Sequence, residues 1–96
     1  MSADSSSVGA PTQPTLSATT GTASINLSWV AGSGGGAADK WIILRDNVQL
    51  ARVTDPNART YSDTTVVSGT TYTYKVRAVN SVGSSPNSNP VTVTAP

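Results

Sequence analysis

The nine residues TYTYKVRAV, Thr71 to Val79, set Tyr72, Tyr74, Val76 and Ala78 against Thr73, Lys75 and Arg77. Successive side chains of a β-strand point to opposite faces, so this period of two describes a strand with one buried and one solvated face. TASINLSWV repeats the pattern, with Ile25, Leu27 and Trp29 opposed to Ser24, Asn26 and Ser28. Shorter runs, TLSAT, KWIILR, VQLARV, RTYS and NPVTVTA, follow at intervals of roughly 8 to 12 residues, divided by Gly, Asn, Asp, Pro and Ser. No apolar stripe at helical spacing competes with them. Asp46-Asn47 between two of the runs suits a tight hairpin, because both side chains tolerate the left-handed backbone such turns need. Seven strands joined by short loops predict an all-β chain with antiparallel sheets, arranged as a sandwich or a barrel.

The 96 residues provide for one domain, which buries roughly 60 to 70% of the surface of its unfolded chain. The chain has no Cys and no His, which removes disulfide frameworks, thiolate nucleophiles, histidine bases and the usual zinc sites. Six Lys and Arg against five Asp and Glu leave a net charge of +1, too small a field to hold DNA, so nucleic acid is not an expected partner. No apolar run approaches the ~18 residues of a transmembrane helix, and no membrane insertion is expected. Residues 1–13, rich in Ser and containing Pro, read as a linker with too few apolar groups to offset the entropy of ordering them. The domain is expected over 14–96. Its last residues, TVTAP, end on a dipeptide that commonly begins another linker, which suggests a module of a longer protein.

The segment YSDTTVVSGTTYTYKVRAVNSVGSSPNS is more specific than its alternation. It resembles the last part of a fibronectin type III domain, in which Tyr-x-Tyr-x-Val-x-Ala-x-Asn follows a Gly-containing turn and precedes a Gly and Ser loop. PTQPTLSAT, INLSW and KWIILRDNVQLARV are similar to the family's first strand, its second strand with the buried Trp, and its third strand with the following hairpin. The resemblance covers about Pro14 to Ala95 and implies a seven-stranded antiparallel β-sandwich of the immunoglobulin-like type. It also implies a core in which Trp29 is surrounded by Ile25, Leu27, Val76 and Ala78, together with Ile43 and Tyr74, and closed at its edges by Leu16 and Val66. Tyr72 stands where the family has its tyrosine corner, a phenol that reaches the backbone of the loop just upstream. The Ser and Thr bias and the TYSDTTV and SGTTYTYKVRAVN segments are most similar to bacterial modules that sit in secreted polysaccharide-degrading enzymes, between catalytic and carbohydrate-binding domains. Two positions depart from the pattern: Trp41 where a Tyr is usual, and Asn47 where Gly is frequent.

Motifs with a chemical meaning give no enzyme. Gly32 to Ala37 reads GSGGGA and fits the dinucleotide pattern G-x-G-x-x-A, but KWIILR follows it rather than a helix whose amides face a pyrophosphate. It is expected to be a flexible loop between strands. Asp4, Asp39, Asp46, Asp55 and Asp63 fall in a tail, in loops and at strand ends, with no cleft to oppose two carboxylates. Asp63 is expected to cap the turn before Val66. No D-x-D-x-D run offers a calcium loop. The loop NSVGSSPNS lacks the Arg-Gly-Asp adhesion tripeptide of animal relatives, and the sequon Asn26-Leu27-Ser28 lies in mid-strand. No catalytic residue, cofactor or metal is expected.

KWIILR is apolar on both faces, whereas a half-solvated strand alternates, so something must cover one side. With Trp41 and Ile43 inward, Ile42 and Leu44 lie outside beside Lys75, Arg77 and Val79, covered either by the long basic stems or by a docked domain or second copy. Trp41, Ile42, Leu44, Lys75, Arg77 and Val79 are therefore the candidate interaction face, and a partly exposed Trp41 is a candidate for stacking on a sugar. The expected role is that of a non-catalytic spacer in a secreted, extracellular bacterial protein, monomeric in isolation, whose partners are neighbouring domains. The alternative is a binding or adhesion module for a polysaccharide or protein ligand.

Overall fold

A computed structural model describes residues 9–96. Seven strands follow in order: β1 (Thr15–Gly21), β2 (Ser24–Val30), β3 (Lys40–Arg45), β4 (Val48–Val53), β5 (Thr60–Asp63), β6 (Thr71–Val79) and β7 (Val91–Thr94). They form two antiparallel sheets, β1-β2-β5 and β4-β3-β6-β7. The molecule is a seven-stranded antiparallel β-sandwich, because each sheet has one apolar face and the two faces cover one another. Asp46 and Asn47 adopt φ of 53° and 67°, the left-handed pair that a two-residue hairpin between β3 and β4 requires. Asp46 Oδ1 accepts from the Thr73 amide at 3.0 Å, and Lys75 donates to Asn47 Oδ1 at 2.8 Å, so the turn is held to β6 as well.

Leu16, Ile25, Leu27, Trp29, Ile43, Tyr72, Tyr74, Val76 and Ala78 lie in one buried cluster with Trp41 and Ala95, and half-buried Val66 packs against it. The Trp29 and Trp41 rings come from opposite sheets and meet at 5.6 Å between centroids, tilted by 47°. Their burial ties the sheets together, since a tilted aromatic pair at this separation packs favourably while removing two large apolar surfaces from water. Tyr72 Oη accepts a hydrogen bond of 2.9 Å from the Val67 amide in the β5–β6 connection.

Residues 1–8 of the expected linker lie outside the described residues. Residues 9–13 run against the sandwich: Ala10 O accepts from the Gly36 amide, Gly9 O from Asn80 Nδ2, and Thr12 Oγ1 donates to Ser33 O. A Cβ at Gly36 would meet the Gly9 carbonyl oxygen, and one at Gly32 the Thr12 hydroxyl. The glycine loop is thus packed against the chain's own beginning, where the sequence suggested a flexible connector.

The small residues after β6 extend its pairing. Ser88 donates its amide to Val76 O while its hydroxyl accepts from the Val76 amide at 2.9 Å, and Ser85 does the same with Ala78. Pro86 and Pro90 carry no amide hydrogen, so an ordinary ladder is closed to this segment. The two buried hydroxyls supply the missing acceptors. Asn89 then clasps the first sheet, accepting from the Leu16 amide and donating to Leu16 O, both at 2.9 Å.

Candidate functional site

Register decides what the outer face of the larger sheet presents. Ile42 stands opposite Arg77 on β6 and Arg52 on β4, while Leu44 stands opposite Lys75 and, beyond the bulge at Ile43/Leu44, Gln49. Lys40 pairs with Val79. Ile42 and Leu44 are only 5% and 8% exposed although they face away from the core, and the long side chains of Arg52, Arg77, Lys75 and Gln49 stand at the paired positions beside them. The apolar part of the candidate face is therefore covered within the domain.

Trp41 belongs elsewhere. It is 1% exposed and faces inward, the opposite side of β3 from Ile42 and Leu44, so it is not part of the outer face and offers no ring to a sugar. The cause is alternation together with its contacts: the indole N–H donates to Pro56 O at 3.3 Å, the Arg59 guanidinium lies 5.1 Å over the ring, and Trp29 packs beside it. Of the six residues expected on the face, Ile42, Leu44, Lys75, Arg77 and Val79 share the outer side. Arg52 and Lys40 join them: Lys40 has the same parity on β3 as Ile42 and Leu44, whereas the bulge hides the parity of Arg52 on β4.

A second constellation lies inside. Asp63, with 1% of its side chain exposed, accepts from Tyr74 Oη at 2.6 Å and Arg45 Nη1 at 3.0 Å through Oδ2. Its Oδ1 accepts from the Thr65 amide at 3.0 Å and the Thr65 hydroxyl at 2.6 Å, closing the turn. Burial alone pushes this carboxyl up, but the hydrogen bonds from Thr65, Tyr74 and Arg45 outweigh it and hold the group below its ordinary value. Burial, and then the bond to Asp63, raise Tyr74 well above the ordinary phenol value. Arg45 also lies 4.9 Å over the Tyr72 ring. Both oxygens of the carboxylate are thus engaged within the domain.

Concavities among the described residues include a shallow one of about 370 Å³ on the smaller sheet, lined by Thr19, Asn26, Ser28, Tyr61 and Ser62, and a cleft of about 330 Å³ at the pole where residues 9–13 meet the β2–β3 and β4–β5 loops. The polar side chains of the cleft at the pole are Thr12, Asn57 and Arg59, with Trp41 and Ala78 at the floor. Arg59 donates to Pro56 O and Ala58 O, and Asp55 accepts from the Asn57 amide, so these groups fix the loop. Among the described residues no three His, Cys, Asp or Glu side chains are grouped to hold a metal ion.

The profile of the fibronectin type III domain matches residues 9–94. Chitinase C of Streptomyces lividans is 39% identical over 69 residues, which make up 72% of this chain and 10% of that protein. Among solved structures, an Fn3-like protein from Clostridium thermocellum is 30% identical with a TM-score of 0.74, over 91% of this chain and 95% of that one. Pectate lyase PelI from Erwinia chrysanthemi, in complex with tetragalacturonic acid, is 25% identical with a TM-score of 0.73, over 84% of this chain and 28% of the lyase. The chain thus spans only a small part of the two enzymes it resembles. With its tyrosine corner at Tyr72, its paired Trp core and this match over almost its entire length, the chain belongs to the fibronectin type III family.

Proposed function

We propose that the chain is a non-catalytic module of a secreted multidomain bacterial protein, a stiff spacer that keeps a polysaccharide-degrading domain and its carbohydrate-binding partner apart. The observation that carries this reading is the position of the two ends. Gly9 and Ala10 are bound at the end of β6, through Asn80 and Gly36, whereas Ala95 is bound at its start, through Gly69 and Thr70. A nine-residue strand separates them, about 30 Å at the rise of an antiparallel strand. Hydrogen bonds at both poles make that separation a fixed length. Similarity to part of a chitinase and part of a pectate lyase supports the setting.

The test replaces residues 9–96 in the full-length protein, once by an unrelated β-sandwich of the same span and once by a Gly/Ser linker of equal contour length. The sandwich should preserve activity on insoluble polysaccharide and the linker should lower it. Equal activity with the linker overturns the spacer reading. The isolated chain should also stay in solution when mixed with cellulose or chitin, since Trp29, Trp41, Tyr72 and Tyr74 are buried and the half-buried Tyr61 is a single ring, which makes no stacking row.

A further inference from the structure

Charge is unevenly divided over the two outer faces. The smaller sheet turns outward Ser17, Thr19, Asn26, Ser28, Thr60 and Ser62, with no charge of either sign. On the larger sheet the outward positions include Lys40, Arg52, Lys75 and Arg77, four of the six cationic residues of the chain. The other two are placed elsewhere: Arg45 is paired with Asp63, and Arg59 lies over Trp41. None of the positions that β3, β4, β6 and β7 turn outward is acidic, and among the described residues the only ion pair is Arg45–Asp63. Lys75 bonds to the neutral Asn47, and Arg77 Nε is buried without an acceptor.

We propose that the outer face of β4-β3-β6 is a docking surface for a linear acidic polysaccharide, a polymer carrying a carboxylate on its sugars. Lys75 and Arg77 follow one another along β6 at about 7 Å, and Arg77 and Arg52 flank Ile42 at about 10 Å, the spacings of alternate residues and alternate strands. Gln49, Thr73 and Thr92 border these cations; the Thr73 and Thr92 hydroxyls bond to each other, and each keeps further capacity for a sugar hydroxyl. Arg meets a carboxylate through a two-pronged, charge-assisted contact, so an acidic chain gains at each cation it crosses. The chemistry of the face separates this occupant from others. A neutral polysaccharide needs exposed rings, and a single-stranded nucleic acid needs bases stacked on aromatics, neither of which this face has. Insertion into a bilayer needs apolar side chains, and Ile42 and Leu44 are covered, which leaves only charge attraction to an anionic surface for the vesicle measurement below to read. The proposal goes beyond the spacer reading and does not depend on it, since length and surface charge are tested separately.

The experiment is native-gel retardation of the full chain in polygalacturonate and in its fully methyl-esterified form, which has the same backbone without charge. Retardation by the acid, none by the ester, and release at roughly 0.5 M salt are expected. Arg52→Gln with Lys75→Gln should weaken binding about tenfold or more with an unchanged melting curve. Lys40→Gln with Arg52→Gln, which leaves Lys75 and Arg77 of β6 in place beside Leu44 and Ile42, should also weaken it should the first pair disturb the fold. Arg59→Gln, equal in charge loss per residue but off the face, should leave binding as it was. No retardation at low salt, equal retardation by the ester, an equal loss with Arg59→Gln, or tighter binding to oligothymidylate or to phosphatidylserine vesicles overturns the proposal.

Discussion

A carboxylate taken almost wholly out of water is costly unless its oxygens find donors, and Asp63 receives four hydrogen bonds from Thr65, Tyr74 and Arg45. Tyr74→Phe removes one of them without changing the ring, and should cost about 1.5 to 3 kcal/mol in chemical denaturation. The pH dependence has a definite sign. The folded Asp63 is held below the value of the unfolded chain, so its stabilisation is complete above that value and is lost as pH falls below about 4, through the folded one. Tyr74 is raised, so its contribution is complete below about pH 10 and is lost on further rise. Melting temperature against pH should therefore fall on both sides. In Asp63→Asn the acid fall should be shallower from a lower plateau, and an unchanged acid limb would show that this carboxyl does not govern it.

At the scale of the element, the serine segment following β6 has the most to lose from a small change. Ser88→Ala leaves the Val76 amide buried without its acceptor, and Ser85→Ala does the same to Ala78, each costing about 1 to 3 kcal/mol. Amide exchange should speed up at Val76 or Ala78, respectively, while the amides of β2 keep their protection relative to global unfolding. A pattern spread evenly over both sheets would mean that the segment is not a local clasp. In sequence this segment is a run of small residues, and nothing in its period marks Ser85 and Ser88 as strand partners, because hydroxyls replace backbone groups there. The strand β6 itself was legible, since its four inward residues carry the period without interruption.

Over the whole molecule, stability rests on packing and hydrogen bonds across two sheets whose contact runs through Trp29 and Trp41. Trp29→Ala should cost about 3 to 5 kcal/mol, a large share of what a domain of this size has, and should lower the melting temperature of both sheets in one transition. Reductant and chelator should leave the wild-type melt in place; a melt that shifts with chelator would reveal a bound ion.

Alternation and turn residues determined the strands and their antiparallel pairing, because a period of two is a local property that survives without knowledge of neighbours. The choice of a sandwich over a barrel came from the resemblance carried by the Tyr-x-Tyr-x-Val-x-Ala-x-Asn segment. Whether Trp41 is open to a ligand was not local. It depended on which side of β3 meets the other sheet and on Arg59 and Pro56 arriving from another loop. Half of the cationic face, Lys75 and Arg77, was legible from the alternation of β6; its gathering with Lys40 and Arg52 was not. Lys40, Arg52, Lys75 and Arg77 are up to 37 residues apart in sequence, and a bulge shifts the parity of β4, so only the register of three paired strands brings them to one side. Asp63 read as a turn residue, which its bonds to Thr65 confirm, but the burial that makes it the hub of a polar cluster came from Tyr74 and Arg45 folding over it from the opposite sheet.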